Sequence, residues 1–363
     1  MRFNLADHAG WLDPGIMRLT FTITNNSLNA SLDPAGDSPA CMFRRVRLIA
    51  SGSAVLEDIE EYGRVYQLFS ELLSSQRRYN NVVEAWGEGE HVGTLSNPVG
   101  AAAIPADSSR QVVVTLLSPF LIQGKYIPLH MLPLTIEIEL ADADEGFVGT
   151  GNDWEITRPK LVADVCELES SLANSYAKHM LEGKSLPFHT HGLYSLRAAV
   201  PTGSSLYSLP IARGFTRLST VYVTLWDGTG KWANRFFHPM AAQANIQAND
   251  DLQWNLTIGS ERWPSFDCES TQESFYRLRL AQQAHQGTDT LSISGFDYRN
   301  SKFIIAQSLE KAPGQSAHTG IHTRSGSQLT LNMKNLGATT MVHVVLHYEQ
   351  IVNLSAAGVE VLD

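Results

Sequence analysis

The sequence lacks several features that mark common protein classes. It has no continuous apolar run of the roughly 18 residues that a transmembrane helix needs, so none is predicted. The first residues, MRFNLADHAGWLDPG, have no apolar stretch of the kind found in secretory signals, so we expect no signal peptide. Its three cysteines, Cys41, Cys166 and Cys268, show no CxxC spacing, which argues against a disulfide scaffold or zinc finger and suits a reducing compartment.

Positive charge is also scarce. The chain has 27 Lys and Arg against 37 Asp and Glu, a net charge of −10. A protein that coats nucleic acid through its surface should be basic, so we expect no specific nucleic-acid binding. The local basic clusters are Arg44, Arg45 and Arg47, with Arg77 and Arg78. We interpret them as solvated strand and helix ends, and the alternative is a small patch that faces an acidic partner.

Familiar catalytic motifs are missing as well: there is no GxSxG, P-loop, GxGxxG or HExxH. The nearest to a metal motif is His189-Thr190-His191, because two histidines at i and i+2 on a strand point to one face. Cupin jelly rolls hold a metal with such a pair, but they also use a Glu a few residues on, where this chain has Ser195 and Leu196. We therefore predict no metal site, no cofactor and no catalytic centre.

Two other side-chain sets have a functional alternative. His343 and His347 share a strand face with Glu349 and could bind a metal, although a half-buried structural face is the preferred interpretation. The second set is aromatic and could form a sugar-binding platform, although core packing is preferred; it consists of Trp254, Trp263, Phe275 and Tyr276.

The most informative stretch is 252–281. Leu252, Trp254, Leu256 and Ile258 alternate with polar residues, which predicts a strand with one buried face. Gly259-Ser260 and Pro264 predict a break, and Ser270-Thr271-Gln272-Glu273 then predicts a capping box that opens a helix over 271–281.

The first half of the chain contains a similar unit. Residues 41–49 predict a strand, Ser51-Gly52-Ser53 a break, and 55–73 a helix with apolar residues at helical spacing. Because the strand, break and helix occur once in each half of an otherwise β-patterned chain, we predict two related β domains. With 363 residues, length also favours about two domains.

The remaining pattern is mainly that of strands. We predict all-β jelly rolls because the strands are separated by long, uneven connections, and we place the domain boundary near Arg158-Pro159, giving residues 1–157 and 158–363. The other predicted strands are 18–24, 111–117, 134–140, 160–168, 191–200, 220–226, 303–309, 328–336 and 341–352, and 171–183 is predicted as helical or irregular. The loop 227–249 carries Trp232, Phe236 and Phe237, which either anchor an interface or fold back onto their own domain.

Several segments together resemble the double jelly-roll major capsid proteins of tailless double-stranded DNA viruses, of the polinton-like and adintovirus type. Ile258-Gly259, Trp263-Pro264 and Glu273-Ser274-Phe275-Tyr276 match the family's strand end, aromatic-Pro turn and helix in order and spacing. Further similar segments are LEDIEEYGRVYQLFSELL, IPLHMLPLTIEIEL, SKFIIAQSLEK and MVHVVLHYEQIVNLSAAGVEVLD.

The resemblance implies a structural role without catalysis. It implies two jelly rolls side by side, each with one inserted helix, and a homotrimeric, pseudo-hexameric capsomer that tiles an icosahedral shell. The expected partners are neighbouring capsomers and the penton and minor capsid proteins, and the expected location is the virion, after synthesis inside the host cell. Two rival functions remain open at this point: a cupin-like metal-dependent enzyme that uses His189 and His191, and a carbohydrate-binding β-sandwich that uses the tryptophans.

Overall fold

The structure, a computed structural model, describes residues 1–6, 10–34, 38–50, 54–73, 103–143, 145–148, 153–201, 203–228, 236–239, 251–282, 291, 293–310, 320–324 and 326–363. Arg77, Arg78 and Trp232, named above, lie outside the described residues. The chain divides into two compact units. Unit 1 contains Met1–Ser70, Ser75–Leu193 and Gln350–Leu362, and unit 2 contains Glu71–Ser74, Tyr194–Glu349 and Asp363.

The described residues are mainly in strands. In chain order these are β1 (Arg2–Leu5), β2 (Gly10–Asn25), β3 (Asp33–Pro34), β4 (Phe43–Ala50), β5 (Val55–Glu60), β6 (Ser109–Val114), β7 (Ile127–Pro128), β8 (Leu134–Leu140), β9 (Phe147–Val148), β10 (Trp154–Glu167), β11 (Leu186–Ala199), β12 (Leu206–Ile211), β13 (Leu218–Trp226), β14 (Gln253–Ile258), β15 (Glu261–Cys268), β16 (Ile305–Ser308), β17 (Leu329–Lys334), β18 (Met341–Ser355) and β19 (Gly358–Leu362). The helices are α1 (Tyr62–Glu71), α2 (Pro119–Ile122), α3 (Ser170–Leu181), α4 (Thr271–Ala281) and α5 (Gly295–Asn300), with a 3-10 turn at Pro39–Met42. The all-β prediction is confirmed.

Unit 1 is built on two main sheets. One has the strand order β1-β8-β4-β5, and the other has the order β10-β2-β6 with β7 beside β2. A strand of each sheet alternates buried apolar residues with more exposed ones, as in the Leu134, Ile136 and Ile138 face of β8 and the Leu19, Phe21 and Ile23 face of β2. Phe21 of β2 and Phe43 of β4 approach with ring centroids 5.9 Å apart. The two sheets therefore share one apolar core between their inner faces.

Unit 2 repeats this arrangement. One sheet has the order β11-β18-β13-β16, with β19 beside β18, and the other has the order β12-β17-β14-β15. β13 is buried along almost its whole length, from Leu218 to Leu225. Burial of both faces is typical of a strand in the middle of a sheet, and β13 does lie between β18 and β16.

The predicted helix over 55–73 is wrong in its first part. Residues Val55–Glu60 form β5, which pairs antiparallel with β4, and the helix begins only at Tyr62. The pairing is supported by Arg45, whose guanidinium makes two 2.6 Å hydrogen bonds to the Asp58 carboxylate. Glu61, with φ 50, separates the strand from the helix, because a left-handed residue can continue neither.

The basic residues of β4 face acidic partners on the neighbouring strands. Besides the Arg45–Asp58 pair, Arg47 donates to Glu137 at 2.6 Å, and Arg44 lies 4.0 Å from Glu139. These are cross-strand pairs, and Arg47 lies in the middle of β4, so the interpretation as solvated strand ends does not hold for Arg47.

The predicted domain boundary falls inside a strand. Arg158 is part of β10, where it adopts φ 52 between two segments that both pair with β2. The change from unit 1 to unit 2 comes later, between Leu193 and Tyr194 within β11. Compactness does not establish which residues fold independently, so the division into 1–157 and 158–363 stays a prediction.

Candidate functional site

The His189–His191 pair has the predicted geometry without the surroundings of a metal site. Both side chains are exposed on β11, while Phe188 and Thr190 on the other face are buried. Within the described ranges, no group of three or more His, Cys, Asp or Glu side chains is arranged to hold a metal ion. In the part of the chain that the structure describes, the pair is thus not combined with a third protein ligand, which a stable site needs, and the absence of a metal site stays a prediction.

His343, His347 and Glu349 make contacts between neighbouring segments. His347 Nδ1 lies 3.1 Å from Ser219 Oγ, and the Glu349 carboxylate lies 3.8 Å from the Arg217 guanidinium. His343 is buried opposite Thr224 of β13. This agrees with the preferred interpretation of a structural face.

A polar cluster that the sequence did not predict lies at the start of α4. The Thr271 N–H and hydroxyl both donate to Asp251 Oδ2 at 2.9 Å. His238 Nε2 lies 2.9 Å from Thr271 Oγ1. A hydroxyl, an imidazole and a carboxylate are thus brought together, and this is the set of groups that nucleophilic catalysis uses.

The direction of the hydrogen bonds in this cluster does not suit catalysis. Because the single hydroxyl hydrogen of Thr271 goes to Asp251, His238 must donate its Nε2 hydrogen to the hydroxyl oxygen. A general base would instead accept the proton of the nucleophile. Burial lowers the pKa of His238 to about 4, outweighing the opposite effect of Asp251, so the imidazole is neutral at pH 7. All three side chains are buried, and together they fix the N-terminus of α4.

Trp254, one of the two tryptophans of the possible sugar platform, belongs to the core. Trp254 is only 1% exposed, and its indole N–H donates to Ser274 Oγ at 3.0 Å. Phe275 packs on Tyr298, with ring centroids 4.7 Å apart. Tyr276 is exposed, so the four aromatic residues do not form one open platform, and core packing is the use that the structure shows for Trp254.

Phe236 and Phe237 of the loop 227–249 are held by their own unit. Phe236 is buried, and its carbonyl accepts from the Phe303 N–H at 3.1 Å. The Phe237 N–H donates to Leu225 O at 3.1 Å. Of the two uses considered for this loop, folding back is therefore the one seen for Phe236.

Other aromatic side chains of unit 2 do face solvent. We define the aromatic surface as Phe266 of β15, Tyr276 of α4 and Phe296 of α5, of which Tyr276 is 51% and Phe296 78% exposed. The Arg277 guanidinium lies 5.4 Å from the centre of the Phe266 ring. Exposed aromatic rings beside arginine are the residue types that most often anchor protein interfaces. These three exposed side chains are therefore candidates for protein association in unit 2.

Unit 1 also presents apolar side chains to solvent. Of the 12 residues of α3, only Met180 is buried, and Leu181 is 86% exposed. A helix with so little burial gains little stability from its own unit. None of the helices among the described residues is long and apolar enough to cross a membrane.

The sequence itself matches no family model and no curated protein. Solved structures, in contrast, share the fold along almost the whole chain. PBCV-1 VP54, fitted into a cryo-EM reconstruction of the virophage Sputnik, matches with a TM-score of 0.67 at 9% identity, over 99% of this chain and 91% of that chain. The cryo-EM structure of the Sputnik virophage matches with a TM-score of 0.57 at 11% identity, over 99% and 84% of the two chains.

The Faustovirus major capsid protein gives a TM-score of 0.53 at 9% identity, over 98% of this chain and 87% of that chain. These structural neighbours are double jelly-roll major capsid proteins. The chain accordingly has the double jelly-roll fold, which confirms the fold that the resemblance implied.

Proposed function

We propose that the protein is the major capsid protein of a double-stranded DNA virus. Three copies form a pseudo-hexameric capsomer, and the capsomers tile an icosahedral shell in the virion after synthesis in the host cell. The observation that carries the proposal is the match of 98–99% of the chain to capsid proteins that share this fold. A likeness that spans both jelly rolls, and not one sandwich alone, supports an assembly unit of the same kind.

The partners proposed are other copies of the chain in the trimer, neighbouring capsomers, and penton and minor capsid proteins. The aromatic surface supports association, because large exposed aromatic side chains lose unfavourable contact with water when a partner covers them. The net charge of −10 supports a shell that does not bind nucleic acid specifically. The proposal includes no catalytic activity. It is supported by the hydrogen bond between His238 and Thr271, in which the imidazole donates and so cannot act as a general base.

Native mass measurement tests the proposal. Mass photometry of the purified protein at nanomolar concentration should show a species of three times the chain mass of 40.0 kDa. We expect the trimer to survive dilution, because obligate interfaces commonly bury more than about 2,000 Å² in total. Negative-stain images should show a hexagonal outline. A monomer at every concentration would contradict the proposal.

The aromatic surface can be tested separately. The double variant Tyr276→Ala/Phe296→Ala removes two largely exposed side chains, so it should leave folding intact and weaken association by at least about tenfold if these residues are interface anchors. Leu206→Ala is the matched control, because Leu206 is 64% exposed on β12, at the opposite edge of the sheet from β15. Equal association of both variants and the parent chain would remove the aromatic surface from the interface.

A further inference from the structure

Unit 1 contains a cavity of about 500 Å³ at one side of its β10-β2-β6 sheet. Its floor is made by Trp11 of β2 and Phe188 of β11, both of which are buried. Phe188 is held by Phe120 at 5.8 Å between ring centroids, and Trp11 by Tyr176 at 4.9 Å. The floor is therefore fixed by aromatic packing on both sides and is formed before any ligand arrives.

Part of the cavity lining comes from α3 and from Leu168, two residues before the helix begins. Leu168, Leu172 and Tyr176 are spaced four residues apart, and all three line the cavity. Leu172 and Tyr176 lie within α3, where side chains at this spacing project from one face of the helix. This gives a use to Leu172, which its own unit leaves 47% exposed: together with Tyr176 it lines an apolar space.

The segment Gly124-Lys125-Tyr126 also lines the cavity. Lys125 is the one charged residue among those lining the cavity. Its ammonium group donates to Pro187 O at 3.1 Å, which holds it at the edge of the cavity. An ammonium group has three donors, so a ligand with a negative head group can accept a further hydrogen bond there.

Size, lining and charge together define a ligand class. The volume lies within the roughly 300–1,000 Å³ of small-molecule pockets, which are typically apolar with a few polar groups. We propose that this cavity binds a monoanionic amphiphile with an unbranched alkyl chain and a carboxylate head. The alkyl chain lies against Trp11 and Phe188, and the carboxylate accepts a charge-assisted hydrogen bond from Lys125.

Isothermal titration of the full chain tests this with three ligands of equal chain length: decanoate, decanol and decyltrimethylammonium. We expect decanoate to bind most tightly and the cation most weakly. Lys125→Met should weaken decanoate binding about tenfold and change decanol binding by less than about twofold, because only the acid uses the charged group.

Gly124→Leu tests the location. A Cβ atom at Gly124 would meet no atom within 4 Å, so a leucine can enter the cavity without displacing the backbone. This variant should weaken decanoate and decanol equally, by about tenfold or more. Gly295→Leu is the matched control, since Gly295 also has open space around its Cβ position and belongs to unit 2; it should bind both ligands like the parent chain.

Four results would overturn the proposal. They are no saturable binding of decanoate to the parent chain, equal binding of the cation and the acid, unchanged decanoate binding by Lys125→Met, and unchanged binding of both ligands by Gly124→Leu. If the cavity instead receives an apolar side chain of another copy, Gly124→Leu will alter the native mass while decanoate fails to bind, and the amphiphile is then excluded.

Discussion

Glu57 is a buried carboxyl group whose protonation should control the stability of unit 1. It lies on β5 and accepts hydrogen bonds from the Ser118 hydroxyl and from the Phe120 N–H, the latter at 2.5 Å. These bonds fasten the start of α2 to the sheet. Burial raises the pKa of Glu57 from 4.5 to about 7, although the two hydrogen bonds act in the opposite direction by favouring the ionised form.

The sign and size of the pH effect follow from this shift. Between pH 4.5 and about 7 the unfolded chain loses the Glu57 proton while the folded chain retains it, so the free energy of unfolding falls as the pH rises. At about 1.4 kcal/mol per pH unit, the full loss is roughly 3 kcal/mol. The stabilisation is fully present below pH 4.5 and is lost above about pH 7.

Glu57→Gln removes the titration while keeping groups that can bond to Phe120 and Ser118. Its free energy of unfolding, relative to the parent chain, should therefore rise by roughly 3 kcal/mol between pH 4.5 and pH 8. Urea unfolding, monitored by tryptophan fluorescence at equal protein concentrations, measures this difference. Ionisable groups that both chains share contribute equally to the two free energies of unfolding, so their effects cancel in the difference. Glu60→Gln is the control, because the side chain of Glu60 on the same strand is 62% exposed. A difference that is the same at both pH values would refute the reasoning.

Three further outcomes are expected. Ser270→Ala removes the hydroxyl that accepts from the third N–H of α4 at 3.1 Å, and should cost about 1 kcal/mol in the free energy of unfolding, measured by urea titration. Gly63→Ala places a Cβ atom 2.9 Å from the Cys41 Cα, and should lower the thermal midpoint by an amount equivalent to about 1–3 kcal/mol. Elemental analysis after dialysis should show no stoichiometric transition metal, and His189→Ala/His191→Ala should not change the metal content; one zinc, iron or manganese per chain that this double variant loses would contradict the prediction.

The elements that the sequence predicted best depend on local signals. The strand 134–140 and the helix 271–281 have the predicted bounds. In the strand, strict alternation over seven residues fits only one period. In the helix, Ser270 provides the predicted N-cap bond, although the Glu273 carboxylate pairs with Arg277 at 2.9 Å and not with the Ser270 N–H.

The errors arise where distant residues decide the local structure. The apolar spacing of 55–73 fits a helix, but pairing with β4 makes 55–60 a strand. Pro264 predicted a break, yet it lies inside β15. β15 is the edge strand of its sheet, where a residue without an N–H can be accommodated. The proline is thus compatible with an edge strand, but the local sequence does not show which strand pairs with 261–268.

The polar cluster at α4 and the cavity of unit 1 are also formed by residues that are distant in the sequence. The cluster at α4 joins Asp251 to Thr271 across 20 residues and His238 to Thr271 across 33, so no short motif contains it. The cavity likewise combines residues from β2, α3 and the Gly124 turn. The spacing of Leu168, Leu172 and Tyr176 could be read from the sequence, but what that helix face covers could not.

Unit 1 is assembled from segments that lie far apart in the sequence, and this affects the order in which the protein can fold during synthesis. Its last segment, Gln350–Leu362, is separated from the rest of the unit by most of the chain, and the Gln350 side chain donates to Leu56 O at 3.1 Å across 294 positions. A ribosome makes Gln350–Leu362 only after the whole of Tyr194–Glu349 has been synthesised. The amino-terminal jelly roll thus remains incomplete on the nascent chain while the other unit is already available to fold. Closing such a long loop makes this step slow.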